Sequence, residues 1–252
     1  MREGAAWIEG VRPATLHPTT RTMGMRVAIL AVLTGRVAPL GGRGAPSAIA
    51  KIPAQGPVAI SRRGLAGDEQ ADPRFHGGPE KAVHHYALDH AAAWRAELPA
   101  LPDLLERPGA FGENLSTSGL TERQVCVGDL WRAGGALLQV SQARQPCFKL
   151  NLRFSVPDMA RRVQASGRTG WYYRVIEEGA VAAGDVLELV ERPHPDWPLS
   201  RLLHHVYVDR LDPAALRAIA ALAPLSPSWR TLAARRLASG AVEDWSRRLG
   251  ER

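Results

Sequence analysis

Glycine and proline cut the chain between Met25 and Glu191 into short pieces, most of them the length of a single strand. Strands are expected at Arg26 to Leu33, Val58 to Arg62, Val125 to Arg132, Ala136 to Gln142, Tyr172 to Ile176 and Val186 to Val190, each a β-branched or aromatic run bounded by turn residues. Gly134-Gly135 between two of them reads as a hairpin turn, because glycine supplies the positive φ that a tight hairpin needs. VCVGDLWRAG and VAAGDVLELV repeat a strand, Gly-Asp turn, strand pattern, which points to a sheet folded back on itself as a small closed β-barrel. Two helices interrupt the strands. The first is predicted over residues 79–98, with Pro79 in its first turn and Val83, Tyr86, His90 and Trp94 on one face. The second is SVPDMARRVQASG, where Ser155 and Asp158 suggest a capping box and Gly167 a terminator.

After ERPHPDWP, residues 191–198, the pattern becomes helical: Leu199 to Val208, Pro213 to Leu222 after Asp212, Pro227 to Ala238 after Ser226, and Val242 to Leu249. The fold class is therefore mainly β with α: a β-rich body over residues 25–192 and a small helical subdomain over residues 199–252. Residues 1–24 read as a loose extension upstream of Met25.

The 252 residues, 45% of them hydrophobic, suffice for a core. Cys126 and Cys147 are the only cysteines, too few for a disulfide framework, which suggests a reducing cytoplasm and leaves either thiol available. The longest apolar run, VAILAVL from Val27 to Leu33, is far too short to cross a bilayer. The formal charge is +7, and residues 199–252 carry nine basic against five acidic side chains. Without basic runs interleaved with aromatics or a nucleic-acid motif, that excess reads first as an arginine-rich surface. A docking face for an acidic partner also fits.

Three segments carry candidate chemistry. In QARQPCFKLNLRF, residues 142–154, Cys147 sits among Arg144, Lys149 and Arg153. Fixed positive charge favours the thiolate, the form that attacks electrophiles and binds soft metals. Pro146 restricts the backbone on its N-terminal side. Cys126, in QVCVGDL with only Arg123 nearby, reads instead as a small buried hydrophobe. In RGLAGDEQADPRFHGGPEKAV, residues 63–83, Gly77 and Gly78 lead into the predicted helix, whose first turn with Lys81 would suit an anion such as phosphate. His76 fits an acid, a base, an anion donor or a plain loop histidine. The chain has 29 arginines and only three lysines, so Lys81 and Lys149 carry more weight than generic surface charge. In RPGAFGENLSTSGL, residues 107–120, Glu113 and Asn114 offer a carboxylate and an amide to a polar ligand, or form an Asx-type turn. His84, His85 and His90 lack zinc-site spacing, and no CxxC, G-x-S-x-G or Walker A pattern occurs. A Cys147 and His76 pair leaves a cysteine hydrolase open.

Taken in order, GDEQ with HGGPEKAV, PGAFGENLSTSGL and QARQPCFKLN resemble the MOSC family, the molybdenum cofactor sulfurase C-terminal domain proteins, and most nearly their bacterial YiiM-type members. The resemblance continues through SAIAKI at 47–52, TGWYYRVI at 169–176 and SWRTLAARRLASGAVEDWSRRLG at 228–250. It implies a β-barrel body with inserted helices, a C-terminal three-helix subdomain, and a molybdenum cofactor (Mo-molybdopterin) whose metal is ligated by Cys147. It implies reduction of N-hydroxylated compounds such as 6-hydroxylaminopurine, with electrons from a flavoprotein or similar redox partner, and a homodimer. On that reading Gly77, Gly78 and Lys81 receive the cofactor phosphate, Asn114 joins the cofactor-binding set, and Arg144, Lys149 and Arg153 balance anionic charge. His76 then positions an anion or delivers a proton. The competing expectations are a sulfur carrier using a Cys147 persulfide and a non-enzymatic basic binding module.

Overall fold

The computed structural model describes residues 24–42, 44–100 and 102–250. The extension expected at 1–24 lies, apart from Gly24, outside the described residues.

Seven strands build the body: β1 (Arg26–Thr34), β2 (Val83–Ala87), β3 (Leu115–Thr117), β4 (Leu130–Ala133), β5 (Ala136–Ala143), β6 (Trp171–Glu177) and β7 (Val186–Glu191). They pair in the order β7-β4-β5-β6-β2-β3-β1, and β1 pairs back onto β7. The sheet is thus a closed barrel, and closure removes the unpaired edges that would otherwise recruit other chains. Every pairing around it is antiparallel except that of β2 with β3. Inward positions carry Ile29, Leu115, Trp131, Leu138, Val140, Trp171, Tyr173 and Leu187, all buried. A full burial of such side chains contributes about 1.5–3 kcal/mol each. The expected Gly134-Gly135 hairpin is present, with Ala133 opposite Ala136 and Gly134 at φ 53°.

The single helix expected over residues 79–98 is not formed. Pro79–Lys81 is one 3-10 turn, Val83–Ala87 is strand β2, and only Ala91–Glu97 (α1) is α-helical. The periodicity of Val83, Tyr86, His90 and Trp94 misleads because β2 is covered on both faces. All five of its residues are buried, so it shows no alternation and its apolar residues can mimic a helical stripe. The expected strand Val125 to Arg132 is shortened to β4, since Gly128, at φ 81°, turns the chain before it. The expected capping box also fails. Asp158 precedes α3 (Met159–Ser166) without a side-chain cap, while Ser155, at φ 53°, ends the preceding helix α2 (Lys149–Phe154). Gly167 does terminate α3, at φ 70°.

The C-terminal region forms α4 (Leu199–Tyr207), α5 (Pro213–Ala221), α6 (Pro227–Ser239) and a last short helix, α7 (Ser246–Leu249). Asp212 caps α5 by accepting from the Ala214 N–H at 2.9 Å. The apolar faces of α4 to α6, including Leu202, Leu216, Ile219 and Trp229, join the same core as the barrel. A second cluster of Trp94, Phe111, Leu150, Phe154, Met159, Val163 and Leu249 lies apart from it. The chain from Arg144 to Phe154 runs from the end of β5 into that second cluster, which fixes where Cys147 sits. Among the described residues no helix is long and apolar enough to cross a membrane.

Candidate functional site

Strand register gathers segments from distant parts of the sequence. His84 on β2 lies opposite Tyr172 on β6, and Asn114 donates its N–H to the His84 carbonyl at 2.7 Å. The Asn114 carbonyl in turn accepts from Leu33 N–H at 2.7 Å, so the end of β1 lies beside the start of β3. Asp68 reaches this junction from the loop after the short strand Gly64–Leu65. Its carboxylate accepts from Gly35 N–H at 2.8 Å, from Asn114 Nδ2 at 2.9 Å and from the Lys51 ammonium. Lys51 and Asp68 side chains are 7% and 2% exposed, so the pair is buried. Burial pushes the Lys51 ammonium down, against the opposing pull of Asp68.

Above this pair opens a cleft of about 560 Å³ of empty space, part of it open to solvent, whose wall includes Lys51, His76, Lys81, Arg144, Cys147 and Lys149. All three lysines of the chain therefore meet at one place. Arg144 follows β5 directly, its N–H donating to the Gly170 carbonyl at 2.9 Å. It is only 6% exposed, and its Nη1 is buried without a hydrogen-bond partner among the described residues. Neither Arg144 nor Lys149 has a carboxylate within ion-pair distance among the described residues. Leaving cations uncompensated in a partly buried wall costs stability, so the arrangement is suited to an anion that arrives from outside.

Cys147 is 9% exposed and lines the cleft. Its Sγ lies 3.9 Å from His76 Nε2. His76 is pushed down to about 4 by burial first, then by the charges of Lys149, Arg144 and Lys81. It is consequently a neutral imidazole at pH 7, able to donate one N–H. Burial also lowers the Lys81 ammonium, while Cys147 favours its charge. His84, also on the wall, is held well below the usual histidine range by burial and by Arg144. Its Nδ1 contacts the Gly112 carbonyl at 3.2 Å and its ring packs on Tyr172.

Several expected site residues are placed differently from what the sequence suggests. Gly77 and Gly78 precede a three-residue 3-10 turn rather than a long helix, so the helix-terminus argument for a phosphate seat at that point fails. Asn114 touches the cleft, but its amide is engaged within the protein: Oδ1 accepts from His84 N–H at 3.0 Å, and Nδ2 donates to the Leu33 carbonyl and to Asp68. Arg153 is not among the wall residues. It faces the buried Glu113, and its own burial lowers it. Glu113 accepts from Gly109 and Phe111 N–H groups and holds the 109–113 turn. Conversely, Lys51, Asp68, His84 and Tyr172 belong to the site and were not singled out as site residues. The signals for two of them were the scarcity of lysine and the position of Asp68 within GDEQ.

A mixed barrel that presents a cysteine at a cationic cleft, with helices appended after the last strand, defines a class of protein. Residues 72–188 match the MOSC domain and residues 197–240 match the YiiM-like, 3-alpha helix domain. The chain belongs to the MOSC family and, within it, to the YiiM-like proteins. It is 46% identical over 207 residues to Protein YiiM of Escherichia coli, covering 82% of this chain and 91% of that protein. The crystal structure of YiiM from Escherichia coli superposes with a TM-score of 0.76 over 89% of this chain and 98% of that one, at 38% identity. YiiM from Geobacillus stearothermophilus gives 0.71 over 84% and 99%, at 35% identity. A protein of Gibberella moniliformis named Reductase is 46% identical over 172 residues, 67% of this chain but 30% of that longer protein.

Proposed function

We propose that this protein is a molybdenum-cofactor-dependent reductase of N-hydroxylated compounds, converting R-NHOH to R-NH2. One observation carries the proposal: a cysteine thiol at a cleft whose wall also presents Arg144 and Lys149, neither of which has a carboxylate within ion-pair distance among the described residues. MOSC domains as a family are associated with the molybdenum cofactor, and a relative carries the name Reductase. The residues present fit such a cofactor. Cys147 offers a soft thiolate ligand, and the buried Arg144 Nη1, without a hydrogen-bond partner among the described residues, offers a charge-assisted donor at the same cleft.

When bound, the cofactor would supply the two-electron, oxygen-accepting chemistry that side chains lack. The overall change is R-NHOH + 2 e⁻ + 2 H⁺ giving R-NH2 + H2O. Arg144, Lys149 and Lys81 would hold the anionic groups of the cofactor, and Cys147 would ligate its metal. His76 enters as a neutral imidazole that donates one hydrogen bond into the cleft. Occupation by an anion would offset the three cations that depress it, raising its affinity for a proton. The Lys51–Asp68 pair and Asn114 hold the floor on which the wall stands. The electrons would come from a separate redox protein, and the basic C-terminal region suits an acidic one.

The test is turnover by protein made in a host that synthesises the cofactor. A reduced dye would serve as donor, with 6-hydroxylaminopurine and an N-hydroxylated amidine as substrates. Formation of the corresponding amine, abolished in Cys147→Ala, is the expected result. Cofactor-loaded protein that reduces neither compound would overturn the reductase reading, and a Cys147 persulfide on that same protein would favour sulfur transfer instead.

A further inference from the structure

The residues on both sides of Cys147 are tied to one residue near the far end of the chain. Arg248, on α7, donates from Nη1 to the Pro146 carbonyl at 2.5 Å. Its own backbone carbonyl accepts from the Phe148 N–H at 2.8 Å. The second arm of the guanidinium, Nη2, donates to Gln164 Oε1 at 2.6 Å on α3, and its carbon lies 6.0 Å and 5.9 Å from the ring centroids of Tyr207 and Trp245. One residue further on, the Leu249 carbonyl accepts from Asn151 Nδ2 at 2.9 Å, and the Leu249 side chain is buried in the second apolar cluster beside Leu150.

The path of the chain that brings Arg248 there is itself fixed. After α6, Arg236 is 1% exposed, grips Glu243 through two nitrogens at 2.9 and 2.7 Å, and donates to the Val206 carbonyl at 2.8 Å. Glu243 also accepts from Trp245 Nε1 at 2.7 Å, which sets the aromatic face near Arg248. Gly250, at φ 78°, would place a Cβ only 2.8 Å from Phe148 Cβ, so the segment lies directly against the Cys147 loop.

We propose that the C-terminal segment from Glu243 to Gly250 is a strap that sets the presentation of the Cys147 thiol to the cleft, with Arg248 as the positioning residue. Cys147 is linked to Pro146 and Phe148 by covalent peptides, and both are anchored to Arg248. The thiol is therefore held by a two-point clamp rather than by the barrel alone. The inference deepens the reading of Cys147 as the working residue of the cleft, and it ties the helical region mechanically to the site.

The experiment reads the thiol and needs neither cofactor nor substrate, so its failure is distinct from failure of the reductase reading. Full-length protein is alkylated with iodoacetamide, and the rates at Cys147 and Cys126 are followed separately by mass spectrometry of their peptides. Cys126 is buried in the barrel body and reports global opening. Arg248→Ala is expected to speed alkylation of Cys147 about tenfold or more, the loss of a charge-assisted clamp expressed as local opening, with Cys126 unchanged. Arg248→Lys, which keeps one donor and loses the fork, should fall between. Parallel acceleration of both cysteines would mean that Arg248 only stabilises the fold, and would overturn the proposal. So would a Cys147 rate in Arg248→Ala within about twofold of the parent.

Discussion

The two cysteines lie in regions of opposite electrostatic design. Beside Cys126 the buried charge is answered: Asp129, fully buried, accepts from Cys126 N–H at 2.9 Å and from two nitrogens of Arg192 at 2.9 and 2.7 Å. Burial and Asp129 push the Cys126 thiol up to about 11, so it stays protonated and inert. Around Cys147 the surplus charge is positive, and Arg144 and Lys149 lack carboxylate partners among the described residues. A closed set of charges serves the fold, whereas an open set is stability set aside for a ligand of opposite sign.

That contrast is sharpest where the closed set is opened. Asp129→Ala leaves Arg192 without its partner and should destabilise the protein by about 3–5 kcal/mol, seen as a lowered denaturation midpoint. Among molecules that remain folded, cofactor retention should be unaffected. Arg144→Gln should do the reverse, weakening retention of an anionic cofactor by about tenfold to a hundredfold, measured as molybdenum lost on dialysis, while thermal stability holds or rises.

Acid should distinguish the regions next. His76 titrates near 4 in the folded protein, below its ordinary value, so as pH falls the unfolded chain takes the proton first. Its contribution is a loss of stability that begins as pH drops through 6.5 and is complete below about 4. At pH 5 it amounts to at most about 2 kcal/mol. His85, lowered to about 3 by burial, adds a loss of the same sign. Thermal denaturation of cofactor-free protein at pH 7 and pH 5 should therefore show a smaller acid drop in His76→Gln than in the parent, with the His85 part remaining. The smallest effect belongs to Cys126→Ala, which should change molybdenum content by less than about twofold.

The barrel was legible in the sequence where strands alternate or end in glycine turns, as at β5 and the Gly134-Gly135 hairpin. It was not legible at β2, where complete burial erases alternation, or at β3, whose three residues are too few to show a period. Ser155 and Asp158 have capping-box spacing, but the left-handed turn at Ser155 assigns that serine to the end of α2 instead. In the site, Cys147, Arg144 and Lys149 could be read together because they are neighbours in the chain. Lys51, Asp68, His84 and Tyr172 could not, since only strand pairing over long separations makes them adjacent. The strap was hidden for the same reason, as Arg248 and Pro146 are 102 residues apart.

The most direct measurement is the molybdenum content of the parent, Cys147→Ala and Cys126→Ala, all made in one host that synthesises the cofactor. Near-stoichiometric metal in the parent and in Cys126→Ala, with a loss on the order of a hundredfold in Cys147→Ala, is the predicted result. Equal molybdenum in all three proteins, or none in the parent, would contradict the assignment of the cleft.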